Sequence, residues 1–323
     1  MDKRTRVLIA MDKKPVDHVP AGFWFHFDGD DTKGEQCIQA HLRYYRETDL
    51  DFIKIMNDGY KYPLPEFVKT AEDLWKMEPL GKDHPYIREQ VWRAKRIVEE
   101  IGKERCVFYN VFAPFSMLRN NKKDAFIMEL LSQDKKAVMY ANDVVAQDCE
   151  TLARLLITEA GCDGIYYCVQ GGEKNRFTPE EYREIVRPSD LYVLERINRY
   201  SDYNIMHCCG WAGYANNIEV WKDYPVKCVN WAAFVEDMPL PEGRAFFGDK
   251  AVLGGFETLH LDASMGKYKG IMYSGTRKEI EDFTRNTIET FGKRGLLLGG
   301  DCTIATWLDH ERIKWIVDTA RSM

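Results

Sequence analysis

The chain has 323 residues, and its 45 lysines and arginines against 51 aspartates and glutamates leave a net charge of −6 at pH 7. With no basic block, that balance argues against a nucleic-acid partner, and no run of eighteen apolar residues offers a membrane span. Nine cysteines without the spacing of a small disulfide scaffold, and an opening MDKRTRVLIAMDKK without a signal-peptide core, predict a soluble, reducing, cytoplasmic setting.

Residues 1–18 read as a short amphipathic helix carrying Val7, Leu8, Ile9 and Met11, ended by the prolines of KKPVDHVP. A first strand is predicted from Val19 to Phe27, with Trp24 and His26 on one face and Phe23 and Phe25 on the other. A helix over 34–47 leads to a second strand, Asp51 to Asp58, which ends in Asn57 and Asp58 and is followed by Tyr60 and Tyr62. Residues 60–85 form a long connection, and PYIREQVWRAKRIVEEIGKE has apolar residues at helical spacing, with Gly102 near its end. CVFYNVFAP is the third strand, residues 123–160 are helical, and DGIYYCVQGGE is a fourth strand that ends in Gln170 and Glu173. Thr178 caps the next helical segment, with Pro179 at its first position.

The fifth strand, Asn204 to Gly210, reads NIMHCCG. Side chains alternate along a strand, so His207 and Cys209 share a face and Cys208 takes the other. An imidazole and a thiolate on one face are half of a zinc site, and a catalytic zinc takes three protein ligands and keeps one position open. Cys302, in LLLGGDCTI, ends another apolar run and is the third ligand expected. Glu257 is a carboxylate that could complete the shell in the absence of substrate. Cys37, Cys106, Cys149, Cys162, Cys168, Cys208 and Cys228 read as small core hydrophobes.

The segment AGYANNIEVWKDY is predicted helical, and strands follow at Val226 to Ala233, near whose end lie Asn230 and Trp231, and at Lys250 to Thr258. A helix over 276–295, the strand GLLLGGDC and a last helix complete the chain. Eight strands alternating with helices imply a single α/β domain over 1–323, a closed (β/α)8 TIM barrel with an N-terminal helical extension. Chemistry in such barrels sits on the C-terminal strand ends. There Asp58 and Glu173 are the acid–base candidates, and Trp24, His26, Asn57, Tyr60, Gln170, Asn230 and Trp231 are the substrate contacts expected.

Several segments together resemble the uroporphyrinogen decarboxylase superfamily: the opening with Arg6, Pro15, Asp17 and Pro20, then GCDGIYYCVQ followed by TPEEYREIVRPS, then IMHCCG and LLLGGDCTI. The decarboxylases of that family carry an arginine-rich signature after the first strand, where this chain reads FWFHFDGDD, and a histidine where Cys302 stands. Asp58, seven residues after Asp51, keeps the spacing of their essential aspartate. The corrinoid-dependent methyltransferase branch instead has a histidine, one residue, a cysteine and a distant cysteine as zinc ligands, and His207, Cys209 and Cys302 are similar to that pattern. The resemblance implies Zn2+ and methyl transfer between a small methylated substrate and the cobalt of a separate corrinoid protein, since no DxHxxG-type cobalamin signature is present. Aromatic residues at the strand ends favour an aromatic methyl ether as substrate. A methylcorrinoid:thiol methyltransferase, a decarboxylase using Asp58, and a docking subunit with a structural zinc are the competing readings, and a homodimer is as open as a monomer.

Overall fold

The computed structural model describes the whole chain except residues 102–103, 122–123, 211–213, 259–260, 263–266 and 269. The predicted helix end at Gly102, the start of the 123–160 helix and the opening of AGYANNIEVWKDY therefore lie outside the described residues.

Seven parallel strands curl into one sheet in the order β1 (Phe52–Ile55), β2 (Cys106–Phe112), β3 (Gly164–Val169), β4 (Ile205–Cys208), β5 (Cys228–Trp231), β6 (Ala251–Phe256) and β9 (Leu296–Gly300). Helices alternate with these strands, the arrangement of a β/α barrel. A small antiparallel pair, β7 (Leu261–Asp262) and β8 (Lys267–Tyr268), lies in the connection between β6 and β9.

The predicted first strand is not a regular one. Only Ala21 bridges, to Leu298 of β9, with Leu298 N–H donating to Pro20 O at 2.8 Å and Gly22 N–H to Leu298 O at 2.9 Å. On the other edge Asp51 N–H donates to Ala21 O, but the Ala21 N–H goes to the Asp51 carboxylate rather than to a neighbouring backbone. Pro20 brings no N–H, so a full ladder cannot form here. Residues 20–22 thus link β9 to the start of β1.

Helix α1 (Lys3–Met11), capped by Asp2, lies against the interior of the sheet. Its Val7, Ala10 and Met11 pack with the inward residues Phe52, Cys106, Ile205, Cys228, Ala251 and Leu297, and so close the N-terminal mouth. Arg6 of this helix donates to Asp17 at 2.7 Å and to Asp51 at 2.8 Å, which ties the helix to the chain entering β1. Burying side chains the size of Val7 and Met11 contributes roughly 1.5–3 kcal/mol each.

The outer helices are α2 (Gly34–Thr48), α3 (Ala71–Leu74), α4 (Pro85–Ile101), α5 (Pro114–Asn121), α6 (Asp124–Gln133), α7 (Lys135–Thr158), α8 (Pro179–Ile185), α9 (Arg187–Ile197), α10 (Leu240–Phe246), α11 (Ile271–Ser274), α12 (Arg277–Phe291) and α13 (His310–Arg321). The predicted 123–160 helix breaks at Asp134, whose carboxylate caps α7 by accepting from Lys136 and Ala137 N–H. The described part of AGYANNIEVWKDY is no α-helix. It holds only a short 3-10 turn, Ile218–Trp221, because the backbone at 215–217 pairs with residues 172–174 instead. Helix α10, between β5 and β6, was not predicted. Among the described residues no helix is long and apolar enough to cross a membrane.

Candidate metal centre

Alternation along the strands carries the barrel interior upward from α1. Phe52, Phe108, Tyr166, Ile205 and Cys228 face inward, so Lys54, Asn110, Cys168, His207 and Asn230, two residues further on, face the same way one layer higher. The register pairs Cys168 with His207 across β3 and β4, and His207 with Asn230 across β4 and β5. Cys209 follows β4 and stays in line because its N–H donates to Val169 O at 3.1 Å.

The ligand atoms of Cys168, His207 and Cys209 consequently lie within 4.8 Å of one another. Cys302, beyond the end of β9, lines the same cavity, and its thiol is pushed up to about 11, by Cys209 first and by burial second, with His207 opposing. Cys209 in turn is held well above the ordinary thiol range by the neighbouring Cys168. Without an ion, such a crowd of sulfurs keeps its protons; a soft cation displaces them and holds the thiolates.

His207 is oriented from behind. Asn230 donates from its amide nitrogen to Leu253 O at 2.8 Å and to Gly300 O at 3.1 Å, so its Oδ1 is an acceptor. That oxygen accepts from Tyr166 O–H at 2.6 Å and from His207 Nδ1 at 2.5 Å. The ring proton is therefore on Nδ1 and the Nε2 lone pair is free. Nε2 is buried and finds no hydrogen-bond partner among the described residues. An orphaned imidazole nitrogen beside sulfurs fits a thiophilic ion such as zinc.

Over this floor opens a cavity of about 760 Å³, whose walls include Asn57, Asp58, Tyr60, Tyr62, Asn110 and Gln170. The family model described as uroporphyrinogen decarboxylase (URO-D) matches residues 53–323. The chain belongs to the URO-D family. Among solved structures, this URO-D family chain is similar to a methyltransferase from Methanosarcina mazei at a TM-score of 0.75 and 15% identity, covering 100% of this chain and 98% of that one. It is also similar to a B12-independent methionine synthase from Shewanella sp. W3-18-1 at a TM-score of 0.54 and 10% identity, covering 95% and 94%. No curated protein matches its sequence.

The URO-D chain brings some of the residues expected from its sequence to the cavity and leaves others outside. Asn57 accepts from the Asn110 amide at 2.8 Å, and Gln170 donates to Cys209 Sγ at 3.7 Å. Asp58 contacts His26 Nδ1 at 2.7 Å and accepts from Phe27 N–H at 2.8 Å. His26 is at the exposed rim, not in the core. The Tyr60 ring carries the Arg93 guanidinium at 4.7 Å.

Five expectations need correction. Asn230 does not touch the cavity, since its amide is spent on His207, Tyr166 and two carbonyls. Trp231, the next residue, points outward by alternation, where its N–H donates to Met238 O and its ring lies against Phe247. Trp24 lies below the floor, 5.1 Å from the Tyr166 ring. Glu173, 1% exposed, is ion-paired at 2.8 Å to the fully buried Arg119 and does not line the cavity. Glu257 is outside both the cavity wall and the Cys168–His207–Cys209 group.

Two residues of the floor went unnoticed in the sequence. Cys168, read as core packing, stands beside His207. Lys54 is buried, its ammonium 3.7 Å from the Tyr166 ring centre and 4.6 Å from that of Trp24. Burial pushes that ammonium down to about 8, opposed by Cys168, Cys302, Asp58 and Cys209. A lysine in the otherwise apolar FIKIM, in phase with Phe52 and Met56, was the available signal. For the Asn230 shelf, Asn230→Ala is expected to weaken ion binding about 10–100-fold, read by competition with a chromophoric chelator. Unchanged affinity would remove the orienting role.

Proposed function

We propose that this chain is a single-domain, eight-staved barrel enzyme of the cytoplasm. It is a zinc-dependent methyltransferase that moves a methyl group between an aromatic methyl ether and the cobalt of a separate corrinoid protein. The observation that carries the reading is the convergence of an orphaned imidazole Nε2 and cysteine sulfurs on the floor of a roomy cavity. A bound zinc supplies Lewis acidity to the heteroatom that loses or gains the methyl group. Structural likeness to a protein named a methyltransferase supports the same chemistry on this fold.

The chain's own residues have distinct parts in it. His207 and Cys209 hold the ion together with Cys302, which lines the same cavity but is not in the group of ligand atoms lying within 4.8 Å of one another, and Asn230 fixes the imidazole tautomer. Tyr60 and Tyr62 flank an aromatic guest, while Asn57 and Gln170 offer hydrogen bonds to its substituents. Asp58, paired with His26 at the rim, passes a proton between the guest and solvent. No arginine is among the described residues of the cavity wall, whose cationic side chains are Lys33, Lys54 and Lys61, so the bidentate clamp suited to a polycarboxylate tetrapyrrole is absent there.

The test combines metal analysis with turnover. Purified protein is offered a reduced corrinoid protein with methoxylated aromatics or methylamines and, separately, a methylated corrinoid protein with thiols, and gain or loss of the cobalt methyl group is followed by absorbance. About one zinc per chain and methylation from the ethers are expected. Protein without stoichiometric zinc that keeps its activity overturns the reading, and turnover confined to thiols reverses the direction of transfer.

A further inference from the structure

We infer that Cys168 is a fourth, displaceable ligand of the ion: at rest the site is closed by Cys168, His207, Cys209 and Cys302, and a guest takes the place of the Cys168 thiolate. The inference rests on the zinc reading above and goes beyond its three-ligand set.

Geometry is the first support. Zinc–sulfur bonds of about 2.3 Å in a tetrahedron put neighbouring ligand atoms roughly 3.8 Å apart. The Cys168, His207 and Cys209 ligand atoms, all within 4.8 Å of one another, need only small side-chain rotations to reach that spacing. The closeness is built into the sheet, because Cys168 and His207 are register partners on adjacent strands. Cys302 lines the same cavity as these three, just beyond the end of β9.

Charge is the second. A zinc ion with a neutral imidazole and two thiolates is electrically neutral, and would leave the buried Lys54 ammonium without a counter-charge from the cluster. A third thiolate gives the cluster one negative charge, which Lys54 balances. Asp58, the carboxylate that also acts on Lys54, is engaged by His26 and the Phe27 N–H.

The cavity is the third. Four protein ligands are the mark of a structural zinc, but structural zincs are not set under an open space of about 760 Å³. A closed shell beneath such a cavity makes sense when one ligand exchanges. The exchange conserves charge: one thiolate leaves the coordination shell, one anionic or lone-pair donor enters, and no bond within either is broken.

X-ray absorption fine structure of the wild-type zinc protein counts the sulfurs without any substitution. Three sulfurs and one nitrogen are expected; two sulfurs overturn the inference and leave the three-ligand reading standing. Identity of the extra sulfur comes from Co2+-loaded full-length chain, where Cys168→Ser should keep one ion per chain and lower the sulfur-to-cobalt charge-transfer band by about a third. A band unchanged in Cys168→Ser, with half of it lost in Cys302→Ser, makes Cys168 a spectator. If wild type binds neither zinc nor Co2+, the proposed function falls together with the inference. Lys54→Met is the second variant: it should lower Co2+ affinity about tenfold or more while leaving the band per bound ion unchanged, and unaltered affinity overturns the counter-charge role.

Discussion

Cys209→Ser is expected to abolish stoichiometric zinc binding and to lower methyl transfer by at least about a hundredfold. Cys209 is the hub of the floor. It shares ligand distance with Cys168 and His207, acts on the Cys302 thiol, and receives the Gln170 amide. A serine hydroxyl is a poor ligand for a soft ion at neutral pH, because it keeps its proton where a thiol gives it up. Cys209 lies just beyond β4 rather than within it, so circular dichroism and the unfolding midpoint should change little. Full activity with zinc retained would show that the sulfurs have no part in the chemistry.

Arg119→Met should be the most damaging substitution for stability away from the metal, at about 3–5 kcal/mol, because it strands a buried carboxylate. The Arg119 side chain is 0% exposed and that of Glu173 1%, with 2.8 Å between them. Arg119 also pairs with Asp124 at 2.8 Å, and the Glu173 backbone bridges Asn216, so the pair joins α5 to the loops after β3 and β4. The double variant Arg119→Met with Glu173→Gln should recover more than half of the loss, since no bare charge remains. Denaturant unfolding of the two single variants and the double one closes the cycle. Turnover of Glu173→Gln measured alongside separates the structural role from an acid–base one: a large fall in kcat with stability intact would restore Glu173 to the chemistry.

The strands were legible because each is an apolar run too short for a helix, and the order strand, helix, strand admits few architectures. Position within a strand was legible as well, which is why His207 and Cys209 could be assigned to one face. The same rule applied to Asn230 and Trp231 would have sent one in and the other out, as the structure does. What a sequence does not carry is register between strands. Cys168 meets His207 only because β3 and β4 align as they do, and a lone cysteine in IYYCV has no local mark of that alignment. Glu173 was misplaced for a similar reason, since the arginine that neutralises it lies 54 residues earlier. The first strand was overdrawn because Pro20 and the Asp51 carboxylate replace ladder bonds that an apolar pattern alone implies. Helix α10 hid between Pro239, Pro241 and Gly243, residues that ordinarily signal loops.

Because Val7, Ala10 and Met11 stopper one end, the described cavity opens at the other end of the barrel. His26 and Tyr60 stand in the wall of that opening, above the sulfur floor. A bulky companion docked there would lock in a small molecule already inside and turn away one arriving late. On the proposed reaction, traffic would be sequential, small molecule first and macromolecule second, because of a nine-residue helix on the far side of the fold.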